Sequence, residues 1–299
     1  MPYLTIFTAP KPFTNPHIRT IQRNAIQSWM QLDDVSVILV GEEAGLAETA
    51  EEFGLLHLNR IARNDKGTPL VSSVFSLARQ AADNPLLCYV NADMILMPDL
   101  LAAIKYVQAQ LTSFLMVGQR WNLDITQPLE FKTGWDDVLR DQAITRGEFY
   151  TPWGVDFFVF PREQYTQVPD FAIGRPAWDN WMLYHAHSQG WLTVDVTRSV
   201  MVIHQNHDYS HLPGNKPPYG SDEAKQNLIL AGGRRCKFNI MDTDRELIDG
   251  QVCRPLFNLG RVFRRMERVF VTEGMGGLRG RVAAFFGRLA LKYSTIPRR

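Results

Sequence analysis

Two polar side chains, Asn91 and Asp93, follow an apolar run that is typical of a buried strand. The run covers residues 86–96 and is bounded by an Asn-Pro pair in front and a Pro-Asp pair behind. Open α/β sheets bind ligands just outside the carboxyl ends of their strands. An aspartate there can hold a divalent cation, and the cation can hold a diphosphate. Asp93 could equally cap the turn after the strand, so the choice depends on the rest of the chain.

A second carboxylate that could do chemistry is Asp179, in the first turn of a predicted helix. As a general base it must be ionised, beside aromatic walls that exclude water and stack on a sugar ring. Three tryptophans, Trp153, Trp178 and Trp181, favour this interpretation. The alternative is a carboxylate that only interacts favourably with the helix dipole.

His204 follows a predicted strand, as Asp93 does. A histidine in such a place is usually structural, but beside an aspartate from another strand a neutral imidazole is a plausible further metal ligand. The sequence therefore favours a divalent metal site formed by Asp93 and His204, with His207 as a weaker candidate. The remaining candidates are interpreted as structural or surface residues: His185, His187 and His211.

The elements around these residues alternate between strand and helix, which predicts a mostly parallel α/β sheet flanked by helices. Strands are expected over residues 3–8, 35–40, 55–58, 86–96, 114–117, 155–160, 192–196 and 200–203. Helices are expected over residues 16–29, 46–53, 68–82, 98–111 and 178–189, the third beginning at Thr68-Pro69. Residues 122–151 lack a clear period and are predicted to form a binding insertion. Because the carboxyl ends of parallel strands meet at one edge, the candidate residues are expected to share one crevice.

The composition is that of an ordinary globular protein, with 45% hydrophobic and 21% charged residues. No apolar run approaches the roughly 18 residues of a membrane span. The cysteines, Cys88, Cys236 and Cys253, are widely spaced and form no CxxC motif. This spacing argues against a disulfide framework and a zinc site, and it predicts a cytoplasmic location.

Basic charge is concentrated near the C-terminus. From Arg254 onward, eleven Lys and Arg residues against two Glu give a net charge of +9, whereas the whole chain carries +1. Basic and apolar residues alternate at helical spacing over residues 261–270 and 281–292. Such segments lie in a membrane interface with their cations on anionic headgroups, or form a helical pair docked on the core. Nucleic-acid binding is not expected, because no reading motif accompanies the charge. We predict a domain over residues 1–212 and a basic helical extension over residues 213–299.

Seven short motifs together resemble a known family. They are Thr8-Ala9-Pro10-Lys11, Gly67-Thr68-Pro69, Val90-Asn91-Ala92-Asp93, Gly118-Gln119-Arg120-Trp121, Trp153-Gly154-Val155-Asp156, Trp178-Asp179-Asn180-Trp181 and His204-Gln205-Asn206-His207. Over about residues 3–211, the chain resembles nucleotide-sugar glycosyltransferases of the GT-A fold, family-2-like. In that fold a DxD motif at the end of a central strand holds Mn²⁺ or Mg²⁺ on the donor diphosphate. Here Asn91 replaces the first aspartate, whereas Asp93 keeps its charge.

The resemblance implies a metal-assisted, inverting transfer of a sugar from a UDP-, GDP- or dTDP-linked donor to a glycan or lipid-linked acceptor. Asp179 takes the place of the carboxylate that deprotonates the acceptor hydroxyl, and Asp156 is its rival. The residues implied in binding the donor and its metal are Thr8, Ala9, Pro10, Lys11, Gly67, Thr68, Asn91 and Asp93, with His204 as a further ligand. The residues implied in binding substrate are Arg120, Trp121, Trp153, Gly154, Trp178 and Trp181.

Two other function classes remain open. A sugar-1-phosphate nucleotidyltransferase shares the α/β layout and a metal-binding aspartate, but it needs a glycine-rich loop after the first strand. Residues 8–12 contain no glycine. A non-catalytic, membrane-associated glycan-binding protein would use the tryptophans and the basic tail. It has no use for Asp93 at a strand end together with a separate Asp179.

Overall fold

The computed structural model describes residues 3–207, 220–274 and 277–294, and His211 lies outside these ranges. The strands are β1 (Leu4–Thr8), β2 (Val35–Val40), β3 (Leu56–Leu58), β4 (Leu86–Val90), β5 (Met94–Leu96), β6 (Phe114–Val117), β7 (Trp121–Leu123), β8 (Glu148–Phe149), β9 (Phe157–Pro161), β10 (Leu192–Asp195), β11 (Val202–Gln205), β12 (Arg245–Ile248) and β13 (Gln251–Cys253). The helices are α1 (Pro16–Met30), α2 (Leu46–Phe53), α3 (Val71–Ala81), α4 (Asp99–Gln108), α5 (Trp135–Arg146), α6 (Trp178–Ser188), α7 (Asp222–Leu230), α8 (Leu259–Phe270) and α9 (Gly277–Lys292).

The larger sheet has, within those ranges, the strand order β13-β12-β10-β6-β9-β4-β1-β2-β3. Its neighbours are parallel except around β9, which runs antiparallel between β4 and β6, and at β13. Alternate residues of β4 enter different cores: Cys88 packs with residues of α1 and α4, and Tyr89 with residues of α3 and α6. This two-faced burial explains why the strands are apolar throughout. The predicted α/β fold, with a mostly parallel sheet between helices, is confirmed.

The run over residues 86–96, predicted as one strand, is divided by a turn. β4 ends at Val90, the Met94 amide donates to the Asn91 carbonyl at 3.1 Å, and β5 begins at Met94. β5 belongs to a second, smaller sheet of order β5-β11-β7-β8. The apolar pattern could not reveal the division, because the residues on both sides of the turn are fully buried. Asp93 therefore lies between two sheets.

One other predicted boundary is wrong. The third helix begins at Val71 instead of Thr68-Pro69, because Pro69 and Leu70 form β-bridges with Arg63 and Ala172. The segment 122–151, predicted as a binding insertion without a clear period, contains α5, β8 and most of β7. Helix α5 buries few of its own residues, which weakens its apolar period.

Residues beyond position 220 contribute both to the larger sheet and to the predicted extension. β12 pairs in parallel with β10, so the sheet contains strands from both sides of the predicted 212/213 boundary. Helices α8 and α9 pack together closely: a Cβ added at Gly260 would approach the Ala290 carbonyl to 2.9 Å. None of the helices in the described part of the chain is long and apolar enough to span a bilayer.

Helix α8 is docked on the core by arginines, for which the sequence pattern left open a membrane interface or a helical pair docked on the core. Arg264 is 2% exposed and donates to Asp242 at 2.8 Å and to Glu267 at 2.8 Å. Arg261 donates to Glu246 at 2.9 Å. Arg268 lies over the Phe238 ring at 3.6 Å. These arginines belong to the docking interface of the tail.

Candidate active site

The predicted site residues surround a cleft of about 760 Å³ at the carboxyl ends of β1 and β4. This volume lies within the usual range of roughly 300–1,000 Å³ for small-molecule sites. Of the candidate residues predicted from the sequence, those that line the cleft are Ala9, Lys11, Thr68, Asn91, Asp93, Arg120, Trp153, Gly154, Asp156, Trp178, Asp179 and His204. One crevice therefore contains residues contributed from distant parts of the chain.

Asp93 is the centre of a cluster that combines two imidazoles and an ammonium group. Its Oδ2 atom lies 3.1 Å from Nε2 of His207, 4.0 Å from Nε2 of His204 and 3.6 Å from Nζ of Lys11. The Asp93 Oδ1 and His204 Nδ1 atoms are buried and have no protein hydrogen-bond partner. One ligand atom each from Asp93, His204 and His207 can be chosen so that all lie within 4.8 Å of one another. The described chain can therefore hold a metal ion here.

The electrostatics of this cluster suit a cation. Burial disfavours the charged form of Asp93, but the His207 hydrogen bond and the charges of His204 and Lys11 outweigh it and hold the pKa of Asp93 well below its usual range. Burial lowers the pKa of His204 to about 4, against the opposing charge of Asp93. At neutral pH the cluster therefore offers a carboxylate and an uncharged His204 imidazole, the forms in which these groups bind metals.

Asn91 faces Asp156, away from the Asp93 cluster. Its amide nitrogen donates to Asp156 Oδ1 at 2.8 Å, and its backbone amide donates to the Asp156 carbonyl at 3.0 Å. Arg120 Nη1 donates to the other Asp156 oxygen at 2.5 Å. An aspartate at position 91 would put two carboxylates in contact, whereas an asparagine supplies a donor. The departure from DxD thus has a local physical cause.

The Asp179 carboxylate is hydrogen-bonded by backbone amides, whereas the Asp156 carboxylate is bound by the side chains of Asn91 and Arg120. Asp179 lies in the first turn of α6, where its carboxylate accepts a hydrogen bond from the Ala177 amide at 3.2 Å. Ala177 has φ +93°, a strained value for a residue with a side chain, and such strain often accompanies functional sites. Burial raises the pKa of Asp179 to about 6, while the Asn180 backbone hydrogen bond and the charge of Lys237 oppose the shift. A carboxylate with this pKa can take up a proton near neutral pH.

The loop after β1 and the loop before α3 form one side of the cleft. Ala9 and Lys11 line it, whereas Pro10 is buried beneath them and the Thr8 hydroxyl is buried without a protein partner. On the other loop, Thr68 lines the cleft. Gly67 has φ +77°, which completes the turn closed by its amide and the Asn64 carbonyl.

The predicted aromatic residues fall into two groups. Trp153 and Trp178 line the cleft. Trp121 instead packs edge-to-face on Phe149 in the smaller sheet, with ring centroids 5.2 Å apart. Trp181 is 7% exposed and stacks on His185, with centroids 4.5 Å apart. These contacts place Trp121 and Trp181 in packing environments outside the cleft lining and give His185 the predicted structural position.

Sequence reasoning missed several residues of the cleft. His207, the weaker metal candidate, makes the shortest of the measured contacts to Asp93. Tyr150 lines the cleft from the segment predicted as an insertion, and its ring lies 4.3 Å from the Arg120 guanidinium. Arg234 and Lys237 come from beyond the predicted domain boundary. They follow no strand or helical period that could have predicted their place.

Comparisons with known proteins give similarity at the level of structure. No family model and no curated protein matches the sequence. The mannosyltransferase PcManGT from Pyrobaculum calidifontis, solved with GDP-Man and Mn²⁺, is 14% identical with a TM-score of 0.47, over 77% of this chain and 63% of that one. GalNAc-T7, solved with UDP, GalNAc and Mn²⁺, is 15% identical with a TM-score of 0.49, over 77% and 48%.

Glucosyl-3-phosphoglycerate synthase from Mycobacterium tuberculosis, solved with Mn²⁺, UDP and phosphoglyceric acid, is 15% identical with a TM-score of 0.47, over 78% of this chain and 80% of that one. The chain spans less than two thirds of the length of PcManGT and of GalNAc-T7. At these scores we derive function from the residues of the cleft.

The raised pKa of Asp179 predicts a pH-dependent cost to stability. Between about pH 4 and 6 the folded state holds a proton that the unfolded state has released, so the free energy of unfolding falls as pH rises. Asp179→Asn should remove this dependence and stabilise the protein at pH 7 by about 1–3 kcal/mol. Urea unfolding at about pH 5 and about pH 7, one unit either side of that pKa, measures the difference. Asp141→Asn, an exposed carboxylate on α5, is the control. A pH-independent loss of stability in Asp179→Asn would contradict the prediction.

Proposed function

We propose that the protein is a glycosyltransferase of the GT-A type that transfers a sugar from a nucleoside-diphosphate donor to an acceptor hydroxyl. The observation that carries the proposal is the pairing of two unlike sites in one cleft. Asp93, His204 and His207 form a metal-competent group, and Asp179 supplies a separate carboxylate of raised pKa. Transfer of this kind needs a cation for the departing diphosphate and a base for the attacking hydroxyl.

The donor set fits Mn²⁺ or Mg²⁺, and its two imidazoles favour Mn²⁺ of the two. Asp93 Oδ1 and His204 Nδ1 are buried and have no hydrogen-bond partner in the protein, so both atoms are available to a ligand. Asp93, His204 and His207 would hold the ion. When bound, it supplies positive charge for the leaving diphosphate. Lys11, 3.1 Å from His207 Nε2, is positioned to interact with the same phosphates.

Asp179 is the better candidate for the base, because both Asp156 oxygens already accept hydrogen bonds from Asn91 and Arg120. In the proposed step, the Asp179 carboxylate takes the proton of the acceptor hydroxyl as its oxygen bonds to the anomeric carbon. The bond from that carbon to the diphosphate oxygen breaks, and the diphosphate leaves with the electron pair. Direct displacement inverts the anomeric centre. Trp153 and Trp178 offer aromatic walls for the sugar rings.

The two alternatives are less consistent with the cleft. A nucleotidyltransferase would bind a triphosphate in a glycine-rich loop after β1, and residues 8–12 offer none. A glycan-binding protein would not need a metal-competent group beside a carboxylate of raised pKa. Metal-dependent hydrolysis of a panel of UDP-, GDP- and dTDP-sugars is the experiment that separates the three classes.

Removal of the Asp93 carboxylate should abolish metal-dependent transfer. Asp93→Ala eliminates the charged metal ligand, and loss of several kcal/mol of charge stabilisation corresponds to about 10²–10⁴-fold in turnover. Donor turnover with and without Mn²⁺ measures the effect, and circular dichroism checks the fold. Asp83→Ala, an exposed carboxylate just before the other end of β4, should behave as wild type. Full activity of Asp93→Ala, or of the wild type in excess chelator, would remove the metal role.

Asp179→Asn keeps the shape of the side chain but cannot take a proton. It should lower turnover by roughly two to four orders of magnitude with little change in donor affinity. Wild-type turnover should fall as pH drops below about 6, because protonation of Asp179 removes the base. The comparison is Asp156→Asn: if that change is the more damaging one and Asp179→Asn is mild, Asp156 is the base.

We further propose that the protein is cytoplasmic and that its tail binds an anionic membrane surface, which would suit a lipid-linked acceptor. Its cysteines are all free. Although arginines of α8 face the core, α8 and α9 also present exposed apolar side chains, among them Val269 at 70% and Leu278 at 78%. The same two helices also carry exposed cations: Arg265, Arg279, Arg281, Arg288 and Lys292. Each basic residue near an anionic surface contributes about 1 kcal/mol.

Vesicle flotation tests the tail proposal with the full chain, because truncation would leave Asp242 without Arg264. The protein should float with anionic vesicles at low salt and less at high salt. Val269→Glu combined with Leu278→Glu should prevent flotation, since it removes apolar contacts and adds repulsion. Ile144→Glu, at a 49% exposed position on α5, is the matched control. If the wild type and the double variant both stay in the soluble fraction, the tail is a packing element only.

A further inference from the structure

Two cations from the C-terminal part of the chain line the cleft near Asp179. Arg234 and Lys237 come from the segment between α7 and β12, and both belong to the cleft wall. The Lys237 ammonium lies 5.6 Å from the centre of the Trp153 ring. Neither residue is needed for the metal or for the base, so their charge is unexplained by the proposed reaction alone.

The segment that carries these cations is fastened to the start of α6. The side-chain amide of Asn180 donates to the Phe238 carbonyl at 2.8 Å. Asn180 follows Asp179 in the chain, and Phe238 follows Lys237. Arg264 Nη2 donates to the Lys237 carbonyl at 2.7 Å, and the Arg234 amide donates to Glu273 at 2.9 Å. The backbone around Lys237 is thus held next to Asp179 by side chains of α6 and α8 that bind its carbonyl groups.

The charges around Lys237 do not balance. Burial lowers the pKa of Lys237; the Asp179 carboxylate opposes this shift, whereas the Arg234 and Arg264 guanidiniums add to it. Arg264 is compensated by its own ion pairs with Asp242 and Glu267. A lysine that served only to neutralise Asp179 would be expected within ion-pair distance and without a second cation beside it. Among the residues that line this wall of the cleft, one acid, Asp179, therefore accompanies two cations; Glu273, which accepts from the Arg234 backbone amide, lies outside the lining.

We propose that Arg234 and Lys237 bind an anionic group, a phosphate or a carboxylate, on the acceptor. The acceptor is then a negatively charged molecule whose nucleophilic hydroxyl meets Asp179 while its anion lies between the two cations. Charge-assisted bonds of this kind are among the stronger contacts available to a partly buried site. That the bound molecule is the acceptor rests on the proposed function, whereas the anion site itself rests on the geometry of the cleft.

Three sugars that share one ring test the charge requirement: glucose 6-phosphate, glucuronate and glucose. Their affinities are measured by calorimetry with the full chain in saturating Mn²⁺ and UDP or GDP, so that the diphosphate site near Lys11 is filled. At least one charged sugar should bind tenfold or more tightly than glucose. Whether glucose 6-phosphate or glucuronate binds more tightly shows whether the site prefers a phosphate or a carboxylate. Lys237→Met and Arg234→Met should each weaken the charged sugar at least tenfold and leave nucleotide affinity within twofold.

The control is Arg235→Met, a neighbouring exposed arginine outside the cleft lining, which should leave all affinities unchanged. If circular dichroism shows that Lys237→Met does not fold, Arg234→Gln is tested instead, because Arg234 is partly exposed. Equal affinity for the three sugars, or unchanged binding in the cation variants, overturns the proposal. Charged-sugar binding that depends on Lys237, without transfer from any nucleotide sugar, would retain the anion site and refute the glycosyltransferase. Sugar transfer to neutral and charged acceptors alike would retain the glycosyltransferase and refute the anion site.

Discussion

The shape of the cleft depends on the hydrogen bonds that Asp156 accepts. Through Asn91 and Arg120, its carboxylate joins the end of β4, the loop after β6 and the residues just before β9. Because both oxygens are occupied, this buried acid is compensated and fixed in place. The same bonds hold the turn after Val90, from which Asp93 enters its cluster of imidazoles. Asp156 thereby helps to position Asp93 in the cleft.

The sequence was most informative where a residue's neighbours along the chain determine its environment. Apolar strands and their polar ends located Asp93, His204 and the loop at Lys11, because parallel strands bring their carboxyl ends to one edge. It was less informative where tertiary contacts decide. Nothing in the run over residues 86–96 distinguishes one buried strand from two strands in different sheets. The preference for His204 over His207 likewise followed strand position, whereas His207 approaches Asp93 more closely.

Amphipathic pattern gave the helices of the tail but not their orientation. A basic residue at helical spacing can face solvent, lipid or a buried acid, and only the partner decides. Arg264 finds Asp242, a residue 22 positions earlier in the chain that carries no recognisable motif. Lys237 and Arg234 were unpredictable for the same reason. Their place in the cleft follows from hydrogen bonds between the backbone of their segment and the side chains of Asn180, Arg264 and Glu273, which no local pattern records.

Arg264 also connects two regions that would otherwise be described separately. Its guanidinium lies 4.8 Å from the Trp153 ring in the cleft wall, while it pairs with Asp242 beneath α8. If helix α8 moved away from the core, the buried Asp242 carboxylate would lose its ion pair and Trp153 would lose its contact with Arg264. Helix α8 and this wall of the cleft are therefore fixed relative to each other. Any flat surface that the tail contacts would meet the cleft in a single orientation.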